Sequence, residues 1–526
     1  MNQKKTGSYY TPKLITDFLI NHVSLILKTK YLSILEPSAG DGVFVKSIFK
    51  HHDLYNRIKS LFAVEINRKE LDKLGKEIIS KRLKLINEDF LKFQKDSKKT
   101  FSLVVGNPPY IKKKFLTQKQ IRLCEEIHND SLLSNHKINN IWTAFLVRCI
   151  KFVDDIGILA LILPSEFMQV KFSTELRALI LKEFERVEIF TFNELLFKEC
   201  KGQDTLLLIC ERKSINKGLF FANINKVEDL EKKNFALSKR IDIKESKWTY
   251  HHLENDEIEL IQRLKDKFKT VNHYCSSKAG IVTAANDYFI VDEETVNRYS
   301  LYNYVKPIIQ KGFFVNGSVL FRKKDFNDLR KESKPIYLID LNVIDKNNQI
   351  GEYLKIGVKL GIQNRYKTSI RKNWYSIPNI QTPSDGLFFK RCHEYPKLII
   401  NKAKVYATDS AYLVTMRNGY NIQDLVFSFY NSLTLLFSEL NGRFYGGGVL
   451  ELTPNEFKQL PIPYATISRN EFKNYTREFS NKSSILDICN KYNYFILKSA
   501  IPKISGDDIR KIIDIKAKLF ARRHKN

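Results

Sequence analysis

Acidic residues and long apolar runs are both scarce in this 526-residue sequence: 58 Asp and Glu face 87 Lys and Arg, a formal net charge of +29 at pH 7. The longest apolar runs, Ile156–Pro164 and Thr205–Cys210, fall far short of the roughly 20 residues that cross a bilayer, and read as buried strands. The opening stretch MNQKKTGSYYTPK is basic but lacks the apolar core of a secretory signal. Seven cysteines are scattered at positions 124, 149, 200, 210, 275, 392 and 489, with no CxxC pair. An odd, unpaired set argues against a disulfide framework or a metal knuckle and reads as small core residues in a reducing compartment. The expectation is a cytoplasmic protein with no membrane partner and no metal. The excess of cations draws polyanions and supplies salt-sensitive affinity for nucleic acid, although a solubilising bias explains it as well.

The length calls for two or more domains. From residue 30 to about 212, short apolar strands alternate with amphipathic helical spans. The strands are Leu32–Leu35, Leu61–Val64, Leu83–Ile86, Leu103–Val105, Gly157–Leu163, Val187–Phe190 and Thr205–Cys210. This alternation predicts an α/β, mostly parallel, doubly wound sheet. The last two runs have no clear helix between them and are predicted to pair antiparallel at one edge. Beyond about residue 215 the pattern breaks down. We read 1–225 as one domain, 226–249 as a linker or surface excursion, and 250–526 as a second domain of mixed α+β character.

Ligands of open α/β sheets bind beyond the carboxyl ends of the strands. Four early strands end in polar groups: Glu36-Pro37-Ser38-Ala39-Gly40-Asp41-Gly42, then Glu65, then Asn87-Glu88-Asp89-Phe90, then Gly106-Asn107-Pro108-Pro109-Tyr110. The glycines let backbone approach a ligand at a helix N-terminus, though a plain strand-to-helix turn has the same glycines. Glu36 and Asp41 make the loop acidic, which disfavours a pyrophosphate and suits a ligand with an ammonium and a sulfonium. Glu65 stands where a strand-end acid grips ribose hydroxyls. Asp89 can accept from an adenine amino group, and Phe90 can pack on that ring.

Asn107-Pro108-Pro109-Tyr110 is the most specific signal. The two prolines fix the backbone and remove two N–H donors. The Asn107 carboxamide oxygen and the Pro108 carbonyl can then accept both hydrogens of a planar amino group, which frees its lone pair for attack on a methyl sulfonium. Tyr110 offers an aromatic face to a base. A rigid strand-to-loop turn is the alternative. Lys112, Lys113 and Lys114 follow directly; they suit DNA phosphates beside the pocket and equally suit a solvated charge run.

In order and wording, these residues resemble the gamma class of adenine-N6 DNA methyltransferases, the TaqI-like and Eco57I-like enzymes of restriction-modification systems. The resemblance covers roughly residues 6–215 well and the remainder loosely. It implies a Rossmann-like methyltransferase sheet with an antiparallel edge hairpin, followed by a target-recognition domain. It further implies S-adenosyl-L-methionine as cofactor, with Thr11, Glu36, Pro37, Ser38, Gly40, Glu65, Asp89, Phe90, Asn107, Pro109 and Phe145 around it. Asn107, Pro108 and Tyr110 carry the catalytic motif, and Tyr110 and Phe197 flank a flipped target base. Phe145 and Phe197 are also plausible as ordinary core aromatics. The segment from Arg443 through three glycines to Pro463 resembles one that closes recognition domains in the same family.

The resemblance thus implies a monomeric enzyme that modifies double-stranded DNA, with any restriction endonuclease encoded separately. Arg365, Tyr366, Arg371 and Trp374 are plausible base contacts among which the sequence does not choose. Three alternatives stay open: an RNA N-methyltransferase, a protein (glutamine) N-methyltransferase, or a non-catalytic DNA-binding subunit. The length and the basic second half disfavour the protein-directed enzymes, and the intact motifs disfavour a binding-only subunit.

Overall fold

The computed structural model describes residues 11–524, apart from 94–98, 134–137, 195, 197–203, 241–247, 249, 251–252, 316, 343–349 and 446–447. The chain forms two compact units, one reaching to Leu253 and the other running from Glu254 to Arg523, save for a short segment near residue 445 that belongs with the first.

The first unit is built on nine strands: β1 Leu32–Glu36, β2 Ile58–Val64, β3 Leu83–Ile86, β4 Phe101–Gly106, β5 Val153–Pro164, β6 Arg186–Phe192, β7 Thr205–Glu211, β8 Gly218–Ile224 and β9 Ser238–Arg240. They lie in the order β3-β2-β1-β4-β5-β7-β6-β8-β9, with β7 and β9 antiparallel to the strands beside them. Period-two alternation divides the apolar residues between the two faces. On β5, Ile158, Ala160 and Ile162 join one buried cluster, while Leu159, Leu161 and Leu163 join the other. The helix Lys13–Ile26 covers the first face with Ile15, Leu19 and Val23. The helix Trp142–Phe152 covers the second and is buried around nearly its whole circumference.

Two expectations need correction. The β6–β7 pair is antiparallel as predicted, but it is not an edge: β8 runs parallel to β6, and β9 closes the sheet beyond it. The run Leu219–Ala222 is buried, which makes Gly218–Ile224 an interior strand. The stretch 226–249, expected as a linker or surface excursion, instead contributes β9 to the first unit and buries Leu230 and Trp248. Among the described residues no helix is long and apolar enough to cross a membrane.

The turn after β1 has a strict steric demand. Gly42 caps the helix Val43–Lys50 at φ +76°, and a Cβ built there would lie 2.4 Å from Leu74 Cδ1, a side chain that is itself buried. Gly42→Ala combines left-handed strain with overpacking and is expected to cost about 1–3 kcal/mol. Thermal unfolding of the variant checks this, and an unchanged midpoint would show that the turn relaxes freely.

The second unit is mixed α+β, as expected. A five-stranded sheet runs Cys275–Ala279, Ala411–Met416, Gly386–Phe389, Lys397–Asn401, Leu320–Phe321. A four-stranded sheet runs Ile290–Val291, Tyr337–Ile339, Val305–Ile309, Tyr406–Ala407. Three helices follow, Arg469–Ser480, Ile485–Ala500 and Gly506–Arg523. The glycine-rich segment falls between the short strands Arg443–Tyr445 and Val449–Glu451, with residues 446 and 447 outside the described set.

Candidate active site

The parallel strands β1, β2, β3 and β4 end side by side, because their registers match Leu35 with Phe62 and Val104, and Val64 with Ile86. Their terminal loops meet over a cavity of about 330 Å³. All eleven residues expected around a cofactor line it: Thr11, Glu36, Pro37, Ser38, Gly40, Glu65, Asp89, Phe90, Asn107, Pro109 and Phe145. Ile111, Gln120 and Ile141 line it too and were not anticipated. Ile141 reaches the wall through a backbone bond from its N–H to the Ile111 carbonyl (3.0 Å), a pairing between distant segments that leaves no local sequence signal.

Hydrogen bonds knit the loops together. Gly40, at φ +53°, donates its N–H to Glu65 (2.8 Å), whose other oxygen accepts from the Asn67 N–H (2.8 Å). Ser38 donates its hydroxyl to the backbone carbonyl of Asn107 (3.0 Å), tying the β1 loop to the β4 loop. Asn107 Nδ2 donates to Thr11 Oγ1 (3.2 Å). Asp89 accepts from the Leu91 N–H (3.0 Å), and the Phe90 ring packs against Phe145 at 5.0 Å between centroids.

Among the described residues, Oε1 and Oε2 of Glu36 and Oδ1 of Asn107 are buried in this cavity without a hydrogen-bond partner. Glu36 is fully buried, and desolvation pushes its carboxyl well above the ordinary carboxylate range. Asp41 and Glu65 push it the same way, while the Val45 N–H opposes them without forming a bond of ordinary geometry. Burial also raises Asp41. A buried carboxyl among like charges, with no donor, is costly unless a cation joins it. The donor set therefore fits a ligand that brings positive charge, and does not fit a phosphate.

Pro108 and Tyr110 are buried beside the cavity but do not line it. The Tyr110 hydroxyl donates to the Ile162 carbonyl on β5 (3.0 Å), which fixes the ring in place. Lys112, Lys113 and Lys114 are exposed at the start of the next loop, where Lys112 bridges by backbone to Asn140. Phe197 lies outside the described residues.

The family described as Eco57I restriction-modification methylase matches residues 17–197. The family described as the C-terminal domain of the Type II methyltransferase M.Eco57I matches residues 245–497. The Type II methyltransferase M.AccI of Acinetobacter calcoaceticus is 25% identical over 98% of this chain and 93% of its own length. The modification methylase CviBIII of Paramecium bursaria Chlorella virus NC1A is 29% identical over 34% of this chain, which corresponds to 43% of that protein. Among solved structures, the Type IIL restriction-modification enzyme MmeI, determined in complex with DNA, superposes with a TM-score of 0.62 at 12% identity. That match covers 97% of this chain and 75% of MmeI, and it establishes likeness of fold.

Proposed function

Because this chain belongs to the Eco57I-like restriction-modification methylases, we propose that it transfers a methyl group from S-adenosyl-L-methionine to N6 of an adenine flipped out of duplex DNA. The observation that supports this most directly is that one cavity is lined by buried oxygens of both Glu36 and Asn107 that have no partner among the described residues.

Each group has a distinct task in this reading. Glu36 receives the cationic end of the cofactor, and Glu65 the ribose hydroxyls. Phe90 and Phe145, packed on each other, form the apolar wall on which the adenine ring lies, with Asp89 at its amino group. S-adenosylmethionine, when bound, supplies an electrophilic methyl on sulfur. Asn107 Oδ1 and the Pro108 carbonyl accept the two hydrogens of the target amine and localise its lone pair on nitrogen. Tyr110, its ring held by the bond to the Ile162 carbonyl, is the aromatic the extruded base would meet beside Asn107. No strong base is needed at the start, since the attacking nitrogen is neutral, and its proton leaves after transfer.

Thr11 acts as a positioning residue here: by accepting from Nδ2 it keeps Oδ1 of Asn107 turned to the base. Thr11→Val is expected to lower kcat about 5- to 10-fold, the worth of one hydrogen bond, while Thr11→Ser retains activity. Equal losses in both variants would remove Thr11 from this role.

The direct test is transfer of labelled methyl from S-adenosylmethionine to unmethylated genomic DNA, followed by nucleoside analysis. N6-methyladenine supports the proposal. Label in RNA or protein keeps the pocket and moves the substrate. We further propose a monomer that modifies without cutting, any cognate nuclease being a separate chain. Metal-dependent cleavage of plasmid DNA by the purified protein would overturn that point.

A further inference from the structure

Between Tyr353 and Ser384 the chain carries six basic residues and not one Asp or Glu. The stretch is pinned to the second unit from beneath. Ile350, Tyr353, Ile362 and Ile377 are buried in the cluster around the four-stranded sheet. Tyr353 and Tyr288 stack at 4.8 Å, and each donates its hydroxyl to the other's backbone carbonyl. A Cβ on Gly357 would lie 2.2 Å from the Trp374 ring, so the helix Gly351–Lys359 sits flush on that indole.

Above this base the side chains sort cleanly. Arg365 makes a bidentate pair with Asp287 (2.9 and 2.8 Å), and Arg371 donates to the Thr283 carbonyl (2.8 Å). Trp374 is half-buried against Tyr288. These three basic or aromatic residues are therefore occupied in holding the segment. Tyr366, by contrast, is 80% exposed and Ile370 69% exposed, one helical turn apart and hence on one side. Lys355, Lys359, Lys367 and Lys372 are exposed in the same segment, and among the described residues none of the four has a carboxylate partner. An exposed apolar pair in a segment whose exposed charges are all cationic and unneutralised does not resemble an ordinary solvated face, on which charges of both signs mix.

We infer that this protrusion is a duplex-DNA contact of the second unit. The lysines neutralise phosphates on either side of a groove, and Tyr366 with Ile370 presses against the base edges or wedges a base step between them. The inference rests on the methyltransferase reading only for the nature of the substrate; the charge complementarity stands by itself.

The test measures equilibrium binding of the full-length protein to a duplex of several hundred base pairs across a salt series. The triple variant Lys359→Ala/Lys367→Ala/Lys372→Ala is expected to lower the slope of log affinity against log salt by about three, one per lost phosphate contact. A control triple at the exposed Lys50, Lys59 and Lys81 of the first unit is expected to leave the slope alone. Tyr366→Ala is expected to keep the slope and weaken binding at least 5-fold. All the replaced side chains are exposed, so thermal unfolding of each variant should match the parent and report any misfolding. An unchanged slope in the Lys359 triple, or undiminished binding by Tyr366→Ala, overturns the inference even if methyl transfer to DNA proceeds. A reduced slope in a protein that methylates no DNA upholds the contact and removes the methyltransferase reading instead.

Discussion

Asn107→Ala is expected to lower kcat for methyl transfer to DNA by about 10²- to 10³-fold, the usual consequence of removing one preorganised polar group from a reacting centre. The carboxamide oxygen is buried, without a partner among the described residues, and oriented by the bond from its own Nδ2 to Thr11. Its desolvation is a standing cost in the folded protein that only an incoming donor offsets. The target amine provides that donor, and the interaction strengthens as positive charge develops on nitrogen, so the loss should fall on kcat more than on DNA affinity. Removing the side chain also relieves the desolvation cost, so the variant is expected to be at least as stable as the parent. Single-turnover transfer with saturating cofactor and DNA is the measurement. A variant that keeps kcat but loses DNA binding would show that Asn107 holds the base without taking part in the reaction.

Glu36→Gln is expected to weaken S-adenosylmethionine binding by about 30-fold or more, since truncating one member of a buried charge pair costs roughly 2–5 kcal/mol. Its pH dependence is the more diagnostic signature. The Glu36 carboxyl in the folded protein is raised well above its ordinary value, first by desolvation and then by Asp41 and Glu65. The folded state therefore holds this proton more tightly than the unfolded chain does. That contribution favours folding at low pH and is lost as pH climbs from the ordinary carboxylate range through the raised folded value. The Gln variant lacks this loss, so without ligand it should be the more stable protein toward neutral pH and above. Cofactor binding reverses the preference. A cation against Glu36 favours the carboxylate, the proton leaves on binding, and affinity in the parent rises with pH across the same window. Titration calorimetry in buffers of different ionisation heat counts that proton. If affinity and proton release are the same in both proteins, Glu36 has no cation to receive.

Much of this site was legible in the sequence because its chemistry needs unusual residues at strand ends. Asn107-Pro108-Pro109, the acid at Glu36 and the glycines at positions 40 and 42 each break a local rule, and the strand preceding each is short and apolar. The cavity walls at Ile111, Gln120 and Ile141 break no rule, and what brings Ile111 and Ile141 together is pairing between distant segments. The edge of the sheet was misread for a related reason. Ser238–Arg240 is a strand with no apolar residue, defined only by its ladder to β8. The second unit resisted reading because several of its strands are two residues long, such as Leu320–Phe321 and Ile290–Val291, too short to show any periodicity. Among the four candidate contacts in the second unit, only burial and partners separate Tyr366 from Arg365, Arg371 and Trp374.

The strand order of the first unit also bears on how a ribosome can deliver it. β5 is fully buried from Gly157 to Pro164, and its partner on one side is β7 rather than β6. About forty residues separate the end of β5 from the start of β7, including β6, which pairs with β7 and β8. At roughly 5–20 residues per second, the nascent chain spends about 2–8 s with the Ile158–Leu163 edge bare and apolar before its complement emerges. That interval leaves β5 open to capture by chaperones, and faster translation shortens the hazard.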